Sequence, residues 1–208
     1  MAIAINGDGT ITGLSNGGLP DGCILDADIN GMAASKLTGA LPAISGSSLT
    51  GINAISMYDV WMYTSDVQGA QTPLSSHWAR NPNVFDHTGS GMSESSGIFT
   101  FPTTGKYHIF YKINYYSNGN NSQYAGAYLQ VTEDNGSNWS NRDYAYGHFA
   151  GISGYNYDTA AGDMAIDVTD TTNRKVRLIA GVGNSSVYVM GNNAAATTHL
   201  TFIRLGDT

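Results

Sequence analysis

Asp26, Asp28 and Asn30 stand at alternate positions ahead of Gly31, which is the opening half of a calcium-binding loop: oxygen ligands one residue apart, then a glycine for the sharp turn. Such a loop closes on a bidentate Glu at its twelfth position, and that position is Leu37. Without its strongest ligand the segment reads instead as the capped start of a short helix over Asp26–Leu37, with Asp26 or Asp28 as the cap. The histidines are His77, His87, His108, His148 and His199. No two have the i, i+4 spacing of a helical zinc pair, and His77 and His87 flank a loop-like stretch with Asp86. Glu94 and Glu133 are the only glutamates, and the aspartates sit mostly where turns favour Asp. There is no Gly-x-Ser-x-Gly elbow and no phosphate loop. These patterns predict no metal, no cofactor and no enzyme activity.

The residues best suited to chemistry of another kind, non-covalent recognition, lie between Asn138 and Asp158. Tyr and Trp offer flat apolar rings with a polar handle, useful against sugars and proteins alike. Trp139, Tyr155, Asn156 and Tyr157 stand among Asn, Gly and Ser in turn-like stretches, and are expected to be exposed and to contact a receptor. Tyr144, Tyr146 and His148 alternate, so they belong to one strand face, either in a core or at a contact between subunits.

Strands must position these side chains. Gly (26 residues), Tyr (13), Asn, Ser and Thr are frequent, a composition that suits strands and turns. Lys106–Tyr116 gives the clearest alternation. Tyr107, Ile109, Tyr111, Ile113 and Tyr115 share an apolar face, predicted to be core. His108, Phe110, Lys112, Asn114 and Tyr116 share a mixed face, which suits water or a subunit contact, with Phe110 and Tyr116 as contact candidates. Further strands are predicted at Ile55–Thr64, Ile98–Phe101, Ala125–Thr132, Asp143–Phe149, Met164–Val168, Lys175–Val182, Ser186–Met190 and Thr198–Leu205. Turn-rich stretches such as Asp134–Asn138 and Gly181–Asn184 separate them. Many short strands at this spacing mean a sandwich or barrel.

Composition changes near Asn53. Residues 1–53 contain no aromatic residue. A segment that thin buries little apolar surface alone, so it should order against a partner. Ile3 and Ile5, a tight Asn6-Gly7-Asp8-Gly9 turn and Ile11 suggest a hairpin. Ile11-Thr12-Gly13-Leu14, Leu37-Thr38-Gly39-Ala40-Leu41-Pro42 and Leu49-Thr50-Gly51-Ile52 form an imperfect repeat suited to a thin fibre. The expected organisation is a fibre-like attachment segment, 1–53, and a head, 54–208.

Charge narrows the partners. Asp, Glu, Lys and Arg make up 12% of the chain, against about 25% in average domains, and the net charge is −7. The nine Lys and Arg are scattered, so no basic stripe for nucleic acid or an anionic membrane surface is present. Cys23 is the only cysteine, which excludes an internal disulfide and reads as a small buried hydrophobe. Neither a secretory leader nor an apolar run of about 18 residues is visible, so no membrane insertion is expected. The expected place of synthesis is a cytoplasm, left by a route such as lysis.

Gly97-Ile98-Phe99-Thr100-Phe101-Pro102 followed by Gly105-Lys106-Tyr107-His108-Ile109 resembles a stretch of the C1q/TNF-like superfamily: glycine, strand, proline, a short turn, then Gly-x-Tyr-x-aromatic. Ile109 stands where Phe is usual. Leu200-Thr201-Phe202-Ile203-Arg204-Leu205 resembles the superfamily's final strand. The resemblance covers residues 54–208 and implies an all-β jelly-roll head that packs as a trimer, with Phe110, Tyr116, Tyr144 and Tyr146 as trimer contacts. The N-terminal stretches Gly7–Leu14 and Lys36–Ile44 resemble the leading segments of tail-fibre-like proteins of marine and cyanobacterial phages. Together these resemblances imply a bacteriophage virion structural protein, assembled in the host cytoplasm. It would be a homotrimeric fibre, spike or decoration subunit, joined to another virion protein through residues 1–53 and contacting a host surface glycan or protein. The alternatives are a cellular C1q-like binding module and a polysaccharide-degrading tailspike.

Overall fold

The computed structural model describes residues 55–81, 87–120, 122–150 and 153–208, with the backbone of two short N-terminal strands. The chain divides into two units, Met1–Gly51 and Ile52–Thr208. In the first, β1 (Ala4–Ile5) and β2 (Ile11–Thr12) pair antiparallel, with Ile5 opposite Ile11, as expected of a hairpin around Asn6–Gly9. The expected helix over Asp26–Leu37, the partial calcium loop, Cys23 and the later Leu-Thr-Gly repeats lie outside the described residues.

The second unit holds β3 (Met57–Tyr63), β4 (Val67–Gln68), β5 (Trp78–Ala79), β6 (Ser93–Ser95) and β7 (Ile98–Thr100). The long strands β8 (Gly105–Asn118), β9 (Ser122–Thr132), β10 (Ser140–Phe149) and β11 (Tyr155–Val168) follow. The chain ends with β12 (Lys175–Val182), β13 (Tyr188–Val189) and β14 (His199–Gly206). No described residue is helical.

Two antiparallel sheets result. One runs β10-β9-β12-β7-β6. The other is built on β8, which pairs with β11 along its whole length on one side and with β14 and β13 on the other; β14 continues to β3 and β5, and β13 to β4. This is an all-β jelly roll.

Alternation along β8 decides which residues fill the space between the sheets. Tyr107, Ile109, Tyr111, Ile113 and Tyr115 are all fully buried, as their shared face predicts. Opposite them β9 presents Ala125, Ala127 and Leu129, and β12 presents Val176, Leu178 and Ala180. Small residues on one sheet accept large rings from the other, which lets the two layers interdigitate. At one end Phe99 meets Trp61 edge-on at 5.5 Å and Phe202 at 5.4 Å, and Phe101 meets Tyr107 at 4.8 Å. Each fully buried ring of this kind contributes about 1.5–3 kcal/mol.

One carboxylate is buried in this core. Asp59 accepts bonds from Trp61 Nε1 at 3.0 Å, from Arg80 Nε and Nη2 at 2.7 Å each, and from the Met92 amide at 2.6 Å. The Arg80 guanidinium also lies over the Trp61 ring, 4.3 Å from its centre. The charge is thus paired and fully hydrogen-bonded, the condition for burying it.

The strand expectations hold for Lys175–Val182 and nearly so for the strands at β3, β7, β8, β9 and β14. They need one large correction. The strand expected at Met164–Val168 begins at Tyr155. Its first half, Tyr-Asn-Tyr-Asp-Thr-Ala-Ala-Gly, is polar and small, so it carries no hydrophobic run; pairing with β8 from Tyr155 opposite Asn118 onward imposes the strand. Conversely, Ser186–Met190 shrinks to Tyr188–Val189, and β4, β5 and β6 are too short to leave a sequence signal.

Candidate functional site

The outer face of the β8 sheet carries the residues between the core positions. Phe110 lies in register with Thr201 on one side and Asp163 on the other, and Thr201 in turn with Val60. In the next row Ala165, His108, Ile203 and Tyr58 stand side by side. Phe110 is 43% exposed in the middle of this face. Polar and charged groups flank it: Asp163 Oδ2 lies 2.7 Å from His108 Nε2, and Lys112 stands in the adjacent row. His199 sits opposite Lys112; its own burial first, and the Lys112 ammonium second, lower its pKa.

At the far end of the same face four tyrosines meet. Tyr116 stacks on Tyr188, with ring centres 4.9 Å apart and 7° between planes. Tyr155 and Tyr157 lie 6.0 and 6.2 Å from Tyr116 and stack with each other. Tyr116 donates to Asp66 at 2.9 Å and Tyr188 bonds to Gln68 at 3.1 Å, so loop and strand residues hold the cluster from below. Burial, followed by the bond to Asp66, pushes the Tyr116 phenol up to about 12.

The outer face of the β9 sheet carries a second aromatic group. Tyr144 lies opposite Tyr128, and Tyr146 opposite Gly126, which lies opposite Gly181. Tyr146 meets Tyr124 at 6.3 Å, Tyr128 at 5.6 Å and Tyr144 at 5.5 Å. Burial, then a hydroxyl contact with Tyr146, raises the Tyr128 phenol. Beyond Tyr128 the face ends in amides and a cation: Gln130 donates to Asn141 at 2.8 Å, Arg177 donates to Gln130 at 2.7 Å, and the Arg177 guanidinium covers Trp139 at 4.2 Å.

The expected site residues therefore group by sheet and not by expected role. Tyr155 and Tyr157, expected as receptor contacts, share a face with Phe110 and Tyr116, expected as trimer contacts. Tyr144 and Tyr146 share the other face with Trp139. Tyr155 and Tyr157 are 61% and 65% exposed, but they sit on a strand and not in a loop. Trp139 is half-buried: it donates to the Gly136 carbonyl at 3.0 Å and lies under Arg177, so it fastens the β9–β10 turn. Asn156 alternates away from the exposed tyrosines and donates to the Ala150 carbonyl at 2.7 Å, which removes it from the contact face. Tyr144 and Tyr146, for which a core position was one expectation, are 61% and 57% exposed. Sequence reasoning missed Tyr124, Tyr128 and Tyr188; the alternation through Tyr124-Ala-Gly-Ala-Tyr128 was the available signal.

Acidic residues within reach have structural partners. Glu94 accepts from the Gly97 amide at 2.6 Å, and Glu133 pairs with Arg174 at 3.0 Å and Arg142 at 3.3 Å. Among the described residues no group of three or more His, Cys, Asp or Glu converges on a metal position.

The geometry defines a TNF-like jelly roll. Comparison with family models and with curated proteins found no match. Among solved structures the chain is similar to Eiger TNF from S. frugiperda, with a TM-score of 0.53 and 11% identity over 75% of this chain and 96% of that one. It is also similar to murine APRIL in its pH 8.5 crystal form, with a TM-score of 0.47 and 12% identity over 72% of this chain and 98% of that one.

Proposed function

We propose that residues 54–208 form a non-catalytic head that assembles as a homotrimer through the outer face of the β8 sheet, and that the chain is a structural subunit of a bacteriophage virion. The observation that carries the assembly is Phe110, a large aromatic left exposed in a row with Thr201 and Val60 on one side and Asp163 on the other, beside Ile203 and Ala165. Exposed apolar patches of this kind favour association. The virion reading is supported by the order of parts, an aromatic-free N-terminal segment ahead of a β-sandwich head, and by the N-terminal likeness to phage fibre segments. Residues 1–53 would then attach to another virion protein, and the head would face the host surface.

Light scattering on the full chain tests the assembly. A mass of three times 22.0 kDa is expected, and Phe110→Asp should reduce it to one. A wild-type monomer at micromolar concentration overturns the trimer. Phage particles assembled with a chain lacking residues 1–30 test the attachment. The truncated head should be absent from purified particles, and normal incorporation would reverse the proposed polarity. Incubation with host-surface glycans should release no fragments; release would restore the tailspike alternative.

A further inference from the structure

We infer that His199 makes assembly of the head sensitive to mild acid: a proton taken up there sets a second cation beside Lys112, next to Phe110, and drives the subunits apart. The inference rests on the proposed trimer through this face and says what controls it. Two of the five histidines lie on the face, in the rows on either side of Phe110. Their surroundings differ. His108 Nε2 lies 2.7 Å from Asp163 Oδ2, so a proton on His108 meets a carboxylate. Around His199, β8 presents Lys112, β3 presents Met62, and the loop ahead of β14 presents the Ala196 carbonyl. The next residue on the same face of β14 is Thr201. The carboxylates of this face on β11, Asp163 and Asp167, lie two strands away, opposite Phe110 and Lys106.

The geometry also fixes where acid acts. His199 Nδ1 lies 3.1 Å from the Ala196 carbonyl oxygen, which can only accept, so Nδ1 carries the ring proton and Nε2 takes up the next one. That second proton adds charge in a half-buried place, opposite an ammonium that is half-buried too. Burial first, and Lys112 second, accordingly hold the His199 pKa below the ordinary histidine value of 6.5. Closing a subunit contact over Phe110 removes more water from the adjoining row, which raises the cost of the added charge. The sign follows. A free subunit takes up the proton more readily than the trimer does, so acid favours separation. The contribution of the unprotonated ring to assembly is complete at alkaline pH and fades as pH falls below 6.5. His108 works the other way, because its proton strengthens the contact with Asp163.

The test follows the mass of the full chain by light scattering from about pH 8 to about pH 5.5, a range in which histidines titrate and ordinary carboxylates do not. Circular dichroism on the same samples reports the fold. The trimer dissociation constant is expected to rise at least about tenfold over that range while the dichroism stays constant. His199→Asn keeps an amide donor for the Ala196 carbonyl and takes up no proton, so it should hold the trimer together throughout; His199→Gln serves as a second such variant. His108→Gln should leave the acid dissociation in place. Lys112→Gln keeps the histidine but removes its cationic neighbour, and should shift the dissociation to lower pH. That variant decides the matter if neither His199 variant assembles, and an unshifted transition in it overturns the switch. A trimer of constant mass down to about pH 5.5, dissociation that persists in both His199 variants, its abolition by His108→Gln, or loss of the fold together with the mass would each overturn the switch and leave the trimer standing. A wild-type monomer at about pH 8 overturns the trimer, and the switch with it.

Discussion

Tyr111 on β8 crosses the interior and donates its hydroxyl to Asp143 Oδ2 on β10 at 2.8 Å, tying the two sheets together at the edge where β10 and β11 adjoin. Gly162 on β11 leaves room for the passage: a methyl group there would stand 2.7 Å from Tyr111 Cζ and 2.8 Å from Asp143 Oδ2. Asp158 continues the seam by accepting the His148 amide, and Asn156 by donating to the Ala150 carbonyl. A β-sandwich otherwise depends on side-chain packing between its layers; here polar bonds close one side of it.

Tyr111→Phe should destabilise the head by about 1–3 kcal/mol, because Asp143 loses its donor in a half-buried place. Urea unfolding followed by fluorescence gives the value. Gly162→Ala should cost a similar amount by forcing the Tyr111 ring off its path. In the double variant Gly162→Ala with Tyr111→Phe the two losses should not add, since both act on one contact. Full additivity would mean that the seam is not a unit.

Arg80→Ala should be more damaging. Asp59 is fully buried, and without Arg80 it keeps the Trp61 and Met92 donors but loses its guanidinium partner. Breaking a buried pair costs about 3–5 kcal/mol. The lower end is expected here, because the Arg80 side chain is 27% exposed and water reaches part of the gap. Asp59→Asn with Arg80→Met removes both charges and should recover part of the loss in thermal unfolding.

Acid should loosen the β9–β10 turn before it opens the sandwich. Asp134 accepts from the Asn138 side chain, from Thr132 and from the Asn138 amide, which together lower its carboxyl from 3.8 to about 2. A depressed carboxyl stabilises the folded form above its unfolded value, and that contribution fades as pH falls from about 4 through about 2. Amide shifts of Gly136 and Asn138 in NMR should follow this range. Asp134→Asn should remove the transition while the buried residues of β8 remain unperturbed.

How much of this was legible in the sequence differs from residue to residue. The face Tyr107–Tyr115 declared itself because strict alternation over a long strand has one solution, and the core followed from it; the jelly-roll class followed instead from the resemblance of Gly97–Pro102 and Gly105–Ile109 to the C1q/TNF-like superfamily. The first half of β11 did not declare itself. Thr159, Ala160, Ala161 and Gly162 carry no strand signal of their own, since their conformation is imposed by β8 and by the need to clear Tyr111. The exposed tyrosines were visible as a composition but not as two groups. Which sheet a strand joins depends on pairings across more than twenty residues of chain, as between Tyr116 and Tyr157 or Tyr128 and Ile179. Local pattern does not carry that information.

Trp139 and Tyr157 should behave as opposites, although both were expected to be exposed contact residues. Trp139 donates to the Gly136 carbonyl and supports the Arg177 guanidinium, and Arg177 in turn orders Gln130 on the tyrosine face. Trp139→Ala removes a half-buried ring, a hydrogen bond and a cation–π contact together, and should lower stability by about 2–3 kcal/mol. Tyr157 is 65% exposed, and its contacts are with the neighbouring rings of Tyr116 and Tyr155. Tyr157→Ala should therefore change stability by less than about 0.5–1 kcal/mol, the scale of a surface substitution with one aromatic neighbour. Calorimetry on the two variants at equal protein concentration separates them. If Tyr157→Ala proves the more destabilising and lowers the oligomeric mass as well, the Tyr116 cluster is an essential part of the subunit interface, and the contact face extends from Phe110 to the end of β8. If Trp139→Ala leaves the melting temperature unchanged, the β9–β10 turn is held by Asp134 alone and Trp139 is free to serve recognition.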